Sequence, residues 1–427
     1  MGLKKKCWLT AGVGWLCCSL LMAQERENKK LIDTLTYETQ LGLPIAASKI
    51  YFSDAKFALS GFAESNYIHY LGEKNRQSED LELYMTNLQR FVLYAAYRPK
   101  KWMVLYAEIF AEFMNDGGHE HRFEFQPEVF VDFLIHERFN FRIGTHQLRL
   151  GFINNNDEPV MFYTVNRPEV ERLIIPSSWI DLGLMTYGKI GQNLSWSLSV
   201  YQAMDPVNLR GASWFRQGRA DVLRFNFDGY TLNSGLSYSG IKDTEFAVNG
   251  MYASLGKEGL RSNTYLISSY ARTEVKNFTF MALGALGGTS NANGIFELTQ
   301  QFSPGGVGQV LGSQTYGYYG EVGYDLWPLF RKKGGKPISN FFMRSSEIKL
   351  PVFLRYERLN THASISETLR DEPIFQSDLT AVTVGLNFNP RRNIVFKTNY
   401  QFRSNRVPLM NGIFEGDRFE VGLGLIF

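Results

Sequence analysis

Residues 418–427 read Arg-Phe-Glu-Val-Gly-Leu-Gly-Leu-Ile-Phe, and the fold is decided there. Phe419, Val421, Leu423, Leu425 and Phe427 share one parity, while Glu420, Gly422 and Gly424 share the other. A period of two is that of a β-strand, whose successive side chains point to opposite faces. The stretch before it repeats the pattern: Ile394, Phe396, Thr398, Tyr400 and Phe402 oppose Lys397, Asn399, Gln401 and Arg403. Further upstream, Leu194, Trp196, Leu198 and Val200 oppose Ser195, Ser197 and Ser199. Apolar residues on one face and polar or small ones on the other suit a water-filled barrel set in lipid.

Composition agrees. The 427-residue chain is 15% aromatic, with 33 Phe, 22 Tyr and 39 Gly, yet its mean hydropathy is −0.20. A helical membrane protein is far more apolar on average, whereas a transmembrane barrel alternates and cancels. With 44% hydrophobic and 20% charged residues, wholesale disorder is excluded. The 45 basic and 42 acidic side chains show no basic excess, so no nucleic-acid partner is expected.

Residues 1–23 have the layout of a secretory signal peptide. Lys4, Lys5 and Lys6 precede an apolar run from Cys7 to Leu21, and a cut is expected after Ala23. Cys7, Cys17 and Cys18 are the chain's 3 cysteines, so residues 24–427 form no disulfide and hold 42 basic and 42 acidic side chains. No later run is long and apolar enough for a membrane helix, so an integral chain must span as a closed barrel. Residues 24–54 are polar and broken by Pro44; a short periplasmic extension is expected, with entry into the lumen as a plug the alternative. The barrel is expected over 55–427.

The alternation predicts strands near 56–70, 85–98, 101–113, 127–136, 139–151, 179–189, 192–203, 230–240, 243–254 and 260–274, then near 277–286, 313–326, 347–358, 379–389, 393–403 and 418–427. That makes an all-β, sixteen-stranded antiparallel barrel. Its connections alternate. Short turns such as Pro99-Lys100, Glu137-Arg138 and Ile241-Lys242 are followed by longer ones at 71–84, 114–126, 152–178, 204–229, 287–312, 359–378 and 404–417. Short periplasmic turns alternating with long external loops are the outer-membrane pattern. The exceptions are a short external link at 255–259 and a long turn at 327–346. A terminal aromatic such as Phe427 is also typical of these barrels.

Several stretches resemble the phosphate-selective porins O and P. They are Arg142-Ile143-Gly144, Leu354-Arg355-Tyr356, and Val395–Phe402 followed by Val421–Phe427; the Ser60-Gly61-Phe62 start of the first strand is similar too. With the strand count, the resemblance covers nearly all of the chain after residue 23. It implies a trimeric channel in the outer membrane of a Gram-negative bacterium, bounded by lipid and lipopolysaccharide and passing small anions such as phosphate. The chain departs from the pattern at Leu148-Arg149-Leu150-Gly151-Phe152, where relatives often carry a Pro-Phe-Gly-like element. It also lacks a basic excess, so phosphate specificity does not carry over.

Parity assigns Arg90, Arg98, Arg142, Arg355, Lys397 and Arg403 to the inner wall, together with Glu108, Glu112 and Asp132. Fixed cations in a narrow lumen lower the energy of a passing anion. The alternative is cross-strand ion pairing, which cancels that field. The loop at 152–178 is the third external one. In general porins that loop folds inward, so Asp157, Glu158, Arg167, Glu169, Glu171 and Arg172 are candidates for a constriction, with an ordinary solvated surface loop as the alternative.

Catalysis is not expected. There is no Gly-x-Ser-x-Gly element and no phosphate-binding Gly-x-x-x-x-Gly-Lys-Ser/Thr loop. His119-Glu120-His121 reads as an exposed loop segment, and neither a metal nor a cofactor is expected. A barrel enzyme and a surface adhesin remain the competing classes. Trp102, Trp179, Trp196 and Trp327 lie near strand ends and suit interfacial girdles.

Overall fold

The computed structural model describes residues 34–72, 81–176, 178–219, 225–303, 305–330, 338–340, 342–406 and 416–427. The expected signal peptide and the Lys332-Lys333-Gly334-Gly335-Lys336 turn lie outside the described residues. The strands are β1 (Phe57–Leu71), β2 (Asn87–Lys100), β3 (Met103–Asn115), β4 (His121–His136), β5 (Phe139–Gln147), β6 (Ile180–Ile190), β7 (Leu194–Tyr201) and β8 (Tyr230–Ile241). They continue as β9 (Thr244–Lys257), β10 (Leu260–Val275), β11 (Phe278–Thr289), β12 (Gln314–Asp325), β13 (Pro351–Ser364), β14 (Asp378–Arg391), β15 (Ile394–Asn405) and β16 (Asp417–Ile426).

Each strand pairs antiparallel with its neighbours in sequence, and β1 pairs with β16 to close a barrel of sixteen. The seam runs from Phe62↔Ile426 to Leu71↔Asp417, and Gly61 and Phe427 exchange both backbone hydrogen bonds at 2.9 Å. Closure leaves no strand edge to be satisfied by solvent. No helix among the described residues is long and apolar enough to cross a membrane.

The outer face is the apolar parity. Phe91, Leu105, Ile109, Phe113, Leu198, Val248, Ile267, Leu354, Phe402 and Phe419 are all exposed there. Stacked rings gather at the short-turn end: Trp102 on Phe133 at 6.1 Å, Phe133 on Phe141 at 4.5 Å, and Phe57 on Tyr97 at 4.4 Å. Trp102 thus joins an aromatic rim. Trp179 does not: it is fully buried on the inner side, and its indole N–H donates to Asp181.

Three strands depart from the alternation reading by four residues or more. β4 begins at His121 and not near 127, because Pro127 does not stop it. Residues 121–129 of β4 ladder with β3 but lie beyond its ladder with β5, so the missing proline N–H breaks no backbone pair on that side. β5 ends at Gln147, four residues early, and the chain turns inward from Leu148. β13 spans Pro351–Ser364, later than the expected 347–358. At the β9–β10 link, Glu258 and Gly259 both take positive φ, 48° and 85°, the primed turn that matches strand twist.

The interior is packed. Leu148, Leu150, Val170, Ile174, Trp179, Trp214 and Phe215 belong to one buried apolar cluster to which four inter-strand loops contribute. A second cluster holds Leu43, Ile45 and Ile50 from before β1 against Val92, Tyr94, Val104, Tyr106, Phe110 and Phe130 of β2–β4. Those wall residues share the inward parity with Arg90, Glu108 and Asp132, so residues 34–54 lie against the inside of the barrel. Each fully buried side chain of this kind contributes roughly 1.5–3 kcal/mol.

Candidate functional site

The loop joining β5 to β6 (148–179) crosses the lumen. It turns at Gly151, whose φ is 64° and whose added Cβ would strike the Glu171 carboxylate and Ile175. Asn154 closes the base of the loop by accepting the Trp179 N–H at 2.9 Å. The Glu171 carboxylate caps the turn, accepting from the N–H groups of Phe152 (2.7 Å) and Ile153 (2.6 Å), and from the Tyr319 hydroxyl (2.7 Å).

From there the loop reaches the opposite wall. Lys397 donates to the Thr164 carbonyl at 2.9 Å and lies 3.7 Å from the centre of the Phe162 ring. Asn399 accepts from Val165 N–H at 2.8 Å, and Asn166 donates to Glu420 at 2.9 Å. The short helix Glu169–Leu173 seats Glu169 against Arg172 (2.9 Å), Arg403 (2.8 Å) and Arg418. Burial opposes ionisation of Glu169, but these three guanidiniums outweigh it and hold its carboxyl well below the usual range. A neighbouring stretch of the loop meets the N-terminal segment, where the Ala46 N–H donates to Glu158 at 2.6 Å. Burial pushes Asp157 up to about 6, against Arg167 and Arg90, and pushes Glu158 up to about 8. Arg167 is drawn down to about 10 by burial and by Arg90.

The wall charges expected from parity lie on the inner face, and most are answered by a carboxylate. Arg90 bridges Glu64 at 2.5 Å and Glu112, its register partners on β1 and β3. Arg142 meets its register partner Asp132 at 2.9 Å, both fully buried. Arg355 meets its register partner Glu321 at 3.0 Å. Arg98 instead donates to the Ser53 carbonyl at 2.6 Å. Glu108 faces Glu128 directly across β3–β4, and both Glu128 carboxylate oxygens are buried with no hydrogen-bond partner. The cross-strand pairing alternative therefore describes Arg90, Arg142 and Arg355.

Between the loop and the β1–β3 wall lies a space of about 20 Å³, lined by Glu64, Arg90 and Glu112 on one side and Arg167 and Arg172 on the other. That is room for roughly one water. Two larger cavities open at the short-turn end, of about 660 and 160 Å³. Sequence reasoning missed Glu64, Arg418 and the segment 202–219, which buries Trp214, Phe215 and Arg216.

No family model matches the chain. It is 24% identical over 375 residues to an uncharacterized protein of Aquifex aeolicus (strain VF5), covering 85% of this chain and 79% of that one. Among solved structures it is similar to an anion-selective porin from Comamonas acidovorans, with a TM-score of 0.50 and 12% identity over 87% of this chain and 99% of that one. The match to OmpF of Salmonella typhi in complex with daunomycin has a TM-score of 0.53 and 9% identity, over 87% of this chain and 97% of that one. OprB of Pseudomonas putida, in a high-pH structure, gives 0.53 and 9%, over 89% and 96%. The fold is the porin fold. Within that fold, the inward loop and the packed interior are the features that bear on function.

Proposed function

We propose that the chain is an outer-membrane porin of a Gram-negative bacterium: a passive, non-enzymatic channel for small hydrophilic solutes, exported by residues 1–23. The observation that carries this reading is the β5–β6 loop held across the lumen by Glu169, Arg403 and Arg418. A loop anchored at both walls sets the cross-section, and Asp157, Glu158, Arg167, Glu169, Glu171 and Arg172 are its constriction residues. The exposed apolar outer face supports a lipid and lipopolysaccharide setting, and assembly as a homotrimer is part of the same reading. Anions are the favoured ions. Lys397 and Arg98 are the wall cations with no carboxylate within ion-pair distance among the described residues, and Lys397, seated against the constriction loop, is the one assigned to attract them.

Folded protein in planar bilayers should give discrete conductance steps, and a salt gradient should give a zero-current potential of the sign set by anions. Silence from correctly folded protein would remove the channel reading. A second reading, a gated transporter plugged by residues 34–54, is favoured by the Tyr51 hydroxyl donating to Asp132 at 2.7 Å and by the Ala46–Glu158 contact.

A further inference from the structure

The larger cavity at the short-turn end, about 660 Å³, is of ligand-binding size and is roofed by the β5–β6 loop. Its roof carries Arg149, a side chain only 6% exposed. The guanidinium donates to the hydroxyls of Ser197 (3.0 Å) and Ser237 (3.4 Å), and among the described residues no carboxylate lies within ion-pair distance. Its backbone is pinned on both sides by Asn233, at 3.0 and 2.9 Å. Gly235, opposite Ser197 on β8, leaves the space the guanidinium fills: a Cβ there would lie 2.9 Å from Arg149 Nη1. A buried guanidinium without a counter-charge is costly, and burial does draw Arg149 below the usual arginine value.

The remaining lining selects among anions. Asn140, Asn155, Asn156, Ser195 and Ser239 offer neutral donors and acceptors, while Glu245, which accepts from the Tyr270 hydroxyl at 2.9 Å, and Glu137 add negative charge. Lys189 adds an exposed cation at the mouth, so the formal charges of the lining balance, Arg149 and Lys189 against Glu245 and Glu137, and Arg149 is the buried cation of the two. A monoanion with hydroxyl groups meets one guanidinium fork and several amides.

We infer that this cavity is a binding site for a small polyhydroxy monocarboxylate of the sugar-acid class, its carboxylate on Arg149 and its hydroxyls on the Asn and Ser side chains. The inference rests on the channel reading, because the ligand would be a solute in transit. Arg149 supplies a charge-assisted fork, and the amides supply the selectivity over simple anions.

The test is calorimetric titration of the folded full-length protein in detergent with gluconate, glucose and inorganic phosphate as probes. Gluconate should bind saturably, with glucose and phosphate each at least about tenfold weaker. Arg149→Gln, checked for folding by its heat-dependent gel mobility, should lose about tenfold in gluconate affinity. Gly235→Ala, which displaces the guanidinium without removing it, should weaken gluconate and spare glucose, and decides the matter if Arg149→Gln does not fold. Equal binding of glucose, tighter binding of phosphate, or no gluconate binding overturns the inference. A protein that conducts but binds no gluconate leaves the channel reading standing; one that binds but does not conduct removes the channel and keeps the site.

Discussion

The Glu169 carboxylate, on the loop between β5 and β6, lies 2.8 Å from the guanidinium of Arg403 on β15, so one ion pair joins the loop to the far wall. Arg418 on β16 shares the same carboxylate oxygen. Removing one partner of a buried charge cluster strands the others in a medium that solvates them poorly, at a cost of about 3–5 kcal/mol. Glu169→Gln should therefore release the loop. The expected result is a several-fold larger single-channel conductance with barrel content unchanged by circular dichroism. Unchanged conductance would show that the loop does not set the cross-section.

Arg142 was a candidate for attracting anions, and its geometry assigns it a different part. It is fully buried, bound to Asp132 at 2.9 Å, and stacked over Phe130 at 4.3 Å. Arg142→Ala leaves Asp132 unpaired apart from the hydroxyls of Tyr51 and Tyr187, and should lower unfolding stability in urea by about 3–5 kcal/mol. Its zero-current potential should stay at the wild-type value. Lys397→Ala should instead move that potential toward cations, and the opposite ranking of the two variants would reverse the assignment.

The wall was legible in the sequence and the contents of the lumen were not. Lipid on one side forces an apolar residue at every second position, and that pattern is local, so even single strands declare themselves. The seating of Glu169 depends on Arg403 and Arg418, more than 230 residues away in the chain, and no local period encodes it. One signal was present and overlooked. Val92, Tyr94, Tyr106, Phe110 and Phe130 occupy the parity given to water, and apolar side chains there need a cover. Tyr106 and Phe130 stack at 4.4 Å beneath it.

Loop seating should depend on pH through Asp157 and Glu158. Their folded values, about 6 and about 8, lie above the unfolded values of about 3.9 and 4.3. The folded state thus holds protons that the unfolded state releases, and stability present below about pH 4 is lost as pH rises through each folded value. Arg90, Arg167, Glu64, Glu108, Glu128 and the N–H groups of Ile45, Ala46 and Ala47 are among the groups the two carboxyls face. Raising the pH from 5 to 9 should increase flicker between conductance levels. Glu158→Gln, neutral throughout, should remove the part of the change above about pH 6. A pH-independent record from wild type would exclude these two groups as the cause.

The last expectation concerns residues 34–50. Leu43, Ile45 and Ile50 are buried against the apolar inner patch of β2–β4, Ser60 donates to the Ala46 carbonyl at 2.6 Å, and Gln40 donates to the Tyr187 hydroxyl at 2.9 Å. The segment therefore occupies the lumen and is held by both apolar burial and specific polar contacts. Deleting it uncovers Val92, Tyr106 and Phe130 to water, at roughly 1.5–3 kcal/mol for each side chain exposed. It also removes the donor that Glu158 uses to fix the neighbouring loop. Conductance should rise sharply, and the deleted protein should bind an apolar dye that the full chain does not. Restoring the segment as a free peptide should reverse both changes. If conductance does not move on deletion, the segment is a structural liner along one wall, and the plugged-transporter reading falls while the plain channel survives.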